Sequence, residues 1–183
     1  MKTLVTIVSA AAVLLLSTAS ASHARQPAAA CAGQLLANPS FERGTTGWTA
    51  GPRVVVLGDE ARPAHTGRAF ATFGGLDVSR TDQLRATVPV AAGCKVTLTY
   101  WTRGTTTETT RGDYLNVGLS VTGIPPKTLI SLAYDTSSTW QQRTSGAWTA
   151  SADGTATVSF YGSETAGNGT TAFDVDDVTL TLS

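Results

Sequence analysis

The segment Leu115-Asn116-Val117-Gly118-Leu119-Ser120-Val121 alternates between apolar residues and small or polar ones. This period of two is typical of a β-strand with one face on a core and the other toward solvent. Four further runs alternate in the same way: Gln83–Val88, Val96–Trp101, Thr155–Phe160 and Val178–Leu182. Weaker candidate strands lie at Leu35–Ala37, Val54–Leu57, Ala69–Phe73, Leu129–Tyr134 and Trp140–Trp148. About ten short runs separated by turn residues, with no helical periodicity, predict an all-β antiparallel sandwich or barrel.

The first residues have the three zones of a secretory signal. Lys2 supplies a positive charge, an apolar run follows from Leu4 to Leu16, and small residues precede two possible cleavage points, after Ala21 or after Ala24. The apolar run is shorter than the roughly 20 residues that a membrane helix needs. We therefore predict a signal peptide at 1–24, a flexible lead-in at 25–30, one domain at 31–183, and secretion. The alternative is an N-terminal core helix.

Charge limits the classes of partner. The chain has 13 basic and 13 acidic residues, and removal of residues 1–24 leaves a net charge of about −1. A nucleic-acid binder is expected to be basic, and attachment to an anionic membrane also needs cationic residues. We expect no nucleic-acid partner, no membrane association after signal removal, and a monomer.

The two cysteines are Cys31 and Cys94. In an exported protein an even pair predicts a disulfide. The alternative for Cys31 is a lipid-modified cysteine, since Ala28, Ala29 and Ala30 precede it. A lipidated cysteine should directly follow the apolar run, however, and Cys31 lies well beyond Leu16.

Catalytic chemistry has few candidates. Removal of the signal leaves His65 as the one histidine, so a Ser-His-Asp triad would depend on it. Acidic residues that might form a glycosidase pair lie mostly in predicted loops, and no spacing singles out a pair. We expect a protein that is not an enzyme, and a structural turn at His65.

Three segments carry a family resemblance. They are Leu36-Ala37-Asn38-Pro39-Ser40-Phe41-Glu42 followed by Gly47-Trp48, then Ala64-His65-Thr66-Gly67-Arg68-Ala69, and finally Phe173-Asp174-Val175-Asp176-Asp177-Val178-Thr179-Leu180. In this order they resemble the carbohydrate-binding-module type of jelly roll, the galactose-binding-like sandwiches related to cellulose- and xylan-binding modules. The resemblance implies two antiparallel sheets of about four to five strands each, and a carbohydrate ligand.

The resemblance also implies a structural calcium ion between the terminal strands. The residues offer a separate reason: one of the adjacent Asp176 and Asp177 should face inward in an alternating strand, where an unpaired charge is costly. Calcium prefers carboxylate and carbonyl oxygens. We predict ligands from the side chains of Glu42 and Asp177 and the carbonyls near Ser40 and Gly67, with Asp176 in reserve. The alternative is that a bulge turns both aspartates outward, or that they cap a turn.

Aromatic residues that leave the core would stack on sugar rings, with polar neighbours bonding the hydroxyls. Alternation turns four residues outward, and we predict that they share one surface with the nearby Arg103: Trp101, Tyr114, Asn116 and Tyr161. The alternatives are that Trp101 covers a strand edge and that Arg103 solvates a loop. The other aromatics are expected to pack or close the core: Phe41, Trp48, Phe73, Trp140, Trp148 and Phe173.

Together these features predict a secreted, non-catalytic protein that binds a polysaccharide or oligosaccharide. A first alternative is an extracellular structural or protein-interaction sandwich without a sugar cleft. A second is a small hydrolase that acts on glycosides.

Overall fold

The computed structural model describes residues 31–133 and 137–183. The predicted signal peptide and lead-in lie outside these residues. Within the described part of the chain there are twelve strands, and no helix is long and apolar enough to cross a membrane. The strands are β1 Gly33–Gln34, β2 Thr49–Ala50, β3 Val55–Leu57, β4 Ala69–Gly74, β5 Arg80–Val90, β6 Lys95–Thr106, β7 Tyr114–Val121, β8 Lys127–Leu132, β9 Gln141–Thr144, β10 Trp148–Thr149, β11 Gly154–Glu164 and β12 Thr171–Leu182.

The strands form two antiparallel sheets, as predicted. The five-stranded sheet has the order β2-β5-β11-β7-β8. The seven-stranded sheet follows the path β10-β6-β12-β4-β3, with β9 also paired to β6 and β1 also paired to β12. Strands β9 and β10 pair with successive parts of β6, and β4 and β1 pair with successive parts of β12. The larger sheet therefore has five lateral positions, two of which are filled by two short strands each.

The core lies between the sheets and is built by the inward residues of the alternating strands. Leu98, Leu115 and Val158 are fully buried. Phe160 of β11 contacts Phe73 of β4 and Tyr100 of β6, with ring centroids 6.2 and 5.5 Å apart. These rings join the two sheets, so the period of two in the sequence is realised as the packed interior of a sandwich.

The predicted disulfide is present. Cys31 precedes β1 and Cys94 precedes β6, and their Cα atoms are 5.1 Å apart. Cys94 is completely buried. The bridge therefore attaches the first described residue to the start of a central strand.

Strand β12 contains an irregularity that shapes one corner of the sandwich. Its register against β6 shifts between Asp176 and Thr179, and Asp177 has a positive φ of 46°. Left-handed backbone at a non-glycine residue is uncommon and often marks a bulge. The extra residue lets Val175 and Val178 both face the core, and both are fully buried.

Candidate functional site

The five predicted ligand-binding residues are divided between the two sheets. Tyr114 and Asn116 of β7 and Tyr161 of β11 lie on the outer face of the five-stranded sheet. Trp101 and Arg103 belong to β6 of the seven-stranded sheet. The prediction of one shared surface is therefore wrong, although all four residues predicted to leave the core do so and are half-buried.

The outer face of the five-stranded sheet carries a pair of tyrosine rings. Tyr161 lies directly opposite Asn116 across the β11–β7 pairing, and Tyr114 lies opposite Ser163 on the same face. The Tyr114 and Tyr161 ring centroids are 6.3 Å apart, with 30° between the ring planes. This diagonal arrangement on neighbouring strands keeps both rings at the surface and places the Asn116 amide beside them.

A cleft of ≈ 410 Å³ opens at another edge of the sandwich. A smaller cleft of ≈ 200 Å³ lies farther along the same strands as the tyrosines, which do not themselves line it. Gly118 and Ser159 line this smaller cleft, one step along the strands from the Asn116–Tyr161 pair. A Cβ atom at Gly118 would lie 2.8 Å from Ser159 Oγ. The missing side chain at Gly118 therefore makes room for the Ser159 hydroxyl, and Ser120, Thr157 and Ser159 all line the cleft.

Trp101 occupies a different environment, on the outer face of the seven-stranded sheet. Its ring stacks on the His65 imidazole, with centroids 3.9 Å apart and 21° between the planes. Trp140 meets His65 edge-on at 5.8 Å. The sequence did not place Trp140 here, because it precedes a four-residue strand, β9, that is too short to show alternation.

Arg103 is buried rather than exposed. Its Nε donates to Asp174 Oδ2 at 2.8 Å, and its guanidinium lies over the Trp140 ring at 4.5 Å. Arg62 donates to the same Asp174 carboxylate through Nε at 3.0 Å and also through Nη2. Two cations thus share one carboxylate, an arrangement that no single segment of the sequence indicated.

The predicted calcium ligands gather around the turn at residues 64–69. Glu42 Oε1 accepts hydrogen bonds from the N–H groups of Arg68 and Ala69, each at 2.8 Å. At the other side of the turn, Asp176 Oδ2 accepts the N–H of His65 at 2.9 Å. Asp177 Oδ2 lies 2.5 Å from His65 Nδ1.

The bulge in β12 explains why both aspartates face this turn. Asp176 lies opposite Trp101, on the outer side of the sheet, and is nevertheless fully buried beneath the turn. Burial raises the pKa of Asp176 to about 6, and the neighbouring Asp177 carboxylate also raises it. The hydrogen bond that Asp176 accepts from the Asp177 N–H lowers the pKa and offsets part of this rise. The expectation that one aspartate points into the core is therefore wrong: the extra residue brings both to the outer side.

The same corner has the oxygen donors that calcium prefers, namely carboxylates and backbone carbonyls. A Cβ atom at Gly67 would lie 2.4 Å from Glu42 Oε1, so this glycine allows the carboxylate its close approach. Among residues 31–133 and 137–183, however, no three His, Cys, Asp or Glu side chains converge enough to hold a metal ion. A calcium ion at this corner would therefore depend on carbonyl oxygens, such as those near Ser40 and Gly67, for much of its coordination.

The fold is similar to those of two carbohydrate-binding modules and one enzyme. TmCBM61, solved in complex with beta-1,4-galactotriose, has a TM-score of 0.61 and 22% identity over 81% of this chain and 97% of that one. The CBM22-1 xylan-binding domain of Xyn10C from Paenibacillus barcinonensis has a TM-score of 0.52 and 20% identity, covering 84% and 97%. A cyclase from Fischerella sp. TAU has a TM-score of 0.56 and 15% identity, covering 83% and 98%.

No protein-family model and no curated protein matches the sequence. The structural comparisons confirm the predicted carbohydrate-binding-module type of jelly roll as a fold. Because a cyclase has a similar fold, the fold alone does not assign an activity, and function has to be argued from the surface residues.

Proposed function

We propose that this chain is a secreted, non-catalytic protein that binds polysaccharide through the outer face of its five-stranded sheet. The observation that carries the proposal is the Tyr114–Tyr161 ring pair on the same strands as the cleft at Gly118. The similarity of the fold to two carbohydrate-binding modules supports it. The Cys31–Cys94 bridge supports export, because disulfides persist in oxidising compartments.

Each part of this face has a distinct role in sugar binding. The tyrosine rings, whose centroids are 6.3 Å apart, offer flat apolar surfaces to the C–H faces of pyranose rings. The Asn116 amide both donates and accepts hydrogen bonds, which matches sugar hydroxyls. The cleft at Gly118 admits a substituent that projects from the polysaccharide chain toward the sheet. Orientation comes from the polar groups and most of the affinity from the rings.

Affinity electrophoresis in gels that contain β-1,4-galactan or xylan tests the proposal. We expect retention of the mature protein by at least one polysaccharide, loss of about tenfold or more in affinity for Tyr161→Ala, and a much smaller loss for Tyr161→Phe, which keeps the ring. Thr97→Ala, on the outer side of the other sheet, is the matched control and should bind as the wild type does. Absence of retention across a broad panel of polysaccharides would refute the proposal.

The non-catalytic part of the proposal rests on the surroundings of His65. Trp101 covers one face of the imidazole, and Asp177 holds Nδ1, which fits a role in fixing the 64–69 turn. A reducing-sugar assay on the same polysaccharides is expected to show no release above background. Release that His65→Gln abolishes would instead support the hydrolase alternative.

We further propose that calcium binds at the corner where Glu42, Asp176 and Asp177 meet the 64–69 turn. Its ligands would be the Glu42 and Asp177 side chains and carbonyl oxygens near Ser40 and Gly67, with Asp176 in reserve. The supporting observation is a fully buried Asp176 carboxylate whose pKa is raised and whose neighbouring charge is another carboxylate. A divalent cation would compensate both charges. The melting midpoint should rise on addition of calcium and fall with EDTA, and Glu42→Gln should weaken that response. Identical midpoints with calcium and with EDTA would contradict this proposal.

A further inference from the structure

A second groove lies on the outer face of the seven-stranded sheet, across β3, β4 and β12. Its cavity volume is ≈ 240 Å³. Val56 of β3, Gly74 of β4 and Ala172 of β12 form a floor of small and apolar groups. The exposed Leu76 borders it, with 43% of its surface accessible. The groove is therefore large enough for about one sugar unit and has an apolar base for a pyranose ring.

Three arginines line this groove: Arg53, Arg62 and Arg80. Arg53 is exposed, and it has no ion-pair partner among the described residues. The Arg62 side chain is 40% exposed although it contacts Asp174. Arginines from three separate segments thus line a short groove with an apolar floor.

The carboxylates near the groove lie behind the arginines. Asp82 is buried, pairs with Arg80 and accepts the Gly74 N–H at 3.0 Å. Asp174 is also buried, and its charge is shared between Arg62 and Arg103. These two carboxylates are therefore buried, whereas Asp77, which follows Leu76, is exposed and accepts the Gly167 N–H at 2.6 Å.

Two further charged residues, Arg103 and Glu164, lie close to the groove. Arg103 has a side chain only 8% exposed, and its Nη2 has no hydrogen-bond partner. Glu164, another acid close to the groove, is buried, and its Oε1 accepts hydrogen bonds from the N–H groups of Leu76 and Asp77. One carboxylate for two guanidiniums therefore leaves a cationic charge at the Arg62 end of the groove.

From this geometry we propose that the groove binds a uronic-acid unit of an acidic polysaccharide, as a second saccharide site on the sheet opposite Tyr161. Arginine recognises carboxylates through paired, charge-assisted hydrogen bonds, and Arg53 and Arg62 are the accessible donors. The apolar floor suits the sugar ring that carries the carboxylate. A neutral sugar would leave Arg53 without a counter-charge among the described residues. The inference does not depend on the proposed site on the five-stranded sheet.

Titration calorimetry with polygalacturonate and with its fully methyl-esterified form tests this site. The two polymers share a backbone and differ in charge. We expect binding of the free acid to be at least about tenfold tighter, and to weaken as salt rises from about 50 to about 200 mM. Equal affinity for the two polymers would overturn the proposal.

Variants locate the binding. Arg53→Gln and Arg62→Gln should each lower the affinity for polygalacturonate by about tenfold, while Lys95→Gln, an exposed cation at the start of β6, should leave it unchanged. Melting curves establish that each variant is folded, and Arg53→Gln removes no ion pair seen among the described residues. Equal losses for Lys95→Gln and Arg53→Gln would show diffuse charge attraction and overturn the site.

Two experiments distinguish this proposal from binding at the five-stranded sheet and from general binding of anions. Tyr161→Ala should leave binding of polygalacturonate unchanged, so failure of the proposed site on the five-stranded sheet does not affect this result. Dextran sulfate tests whether the groove binds sulfate groups instead of the carboxylates of uronic acids. Binding of dextran sulfate that Arg53→Gln abolishes, together with no binding of polygalacturonate, would overturn the assignment to uronic acids.

Discussion

Removal of the Cys31–Cys94 bridge should lower the free energy of unfolding by about 4 kcal/mol. The bridge joins residues separated by 63 positions, and the chain-entropy relation gives that value for a loop of this length. Because a domain is typically stable by only about 5–15 kcal/mol, the loss is a large fraction of the total. The melting midpoint should fall by roughly 10 °C.

Replacing the cysteines should also destabilise the folded state itself, by a smaller amount. Cys31 anchors β1, which has two residues and pairs only with Leu182 and Thr181 of β12. Cys94 is fully buried, so Cys94→Ala also leaves a small cavity in the core. The Cys31→Ala, Cys94→Ala double variant should therefore be slightly less stable than the reduced wild type, which keeps both sulfur atoms.

Urea denaturation followed by tryptophan fluorescence measures these differences. The three samples are the oxidised wild type, the wild type in excess reductant, and the double variant in the same reductant. The m-value should increase when the bridge is absent, because the unfolded chain then exposes more surface. A loss below about 1 kcal/mol in both the reduced and the double-variant samples would refute the entropic reasoning.

Two further predictions concern the packed interior. Gly162→Ala places a Cβ atom 2.7 Å from Phe73 Cβ, between the two sheets. This variant should lower the free energy of unfolding by about 1–3 kcal/mol, measured by urea denaturation. Gly146→Ala, whose Cβ would have no atom within 4 Å, is the control and should change that free energy little. Burial raises the pKa of Tyr100 to about 12 from 10.0. Below pH 10 the stability associated with this neutral phenol is fully present. It should decline by on the order of 2 kcal/mol as the pH approaches 12, because the phenol ionises first in the unfolded chain. Denaturation midpoints across this range should fall less steeply for Tyr100→Phe, and parallel curves for the two proteins would contradict the raised pKa of Tyr100.

The inward residues of the long strands were predictable from the sequence. Alternation identified Leu98, Tyr100, Leu115 and Phe160 as core positions, and all four are buried. Burial of every second residue depends on the local period alone, and needs no knowledge of which strands are neighbours. The two-residue strands, such as β1 and β10, have no period to read, which is why the larger sheet has more strands than predicted.

The orientation of Asp176 and Asp177 could not be predicted from alternation. Alternation assigns Asp176 and Asp177 to opposite faces, but a left-handed residue at Asp177 brings both to the outer side. Aspartate adopts this conformation more readily than most residues, so the sequence allows a bulge without requiring one. The position of the bulge follows from the pairing of β12 with β6 and from hydrogen bonds to the 64–69 turn.

The division of Trp101 from Tyr161 follows from the same reasoning. Alternation shows that a residue leaves the core, but a sandwich has two outer faces, and the choice between them depends on long-range pairing. Strand β6 pairs with β12, whereas β11 pairs with β5 and β7. The predicted surface therefore separates into a tyrosine face with hydroxyl and amide neighbours and an opposite face with arginines. Because the two faces lie on different sheets of the sandwich and carry different side chains, single variants on one face should leave binding at the other intact.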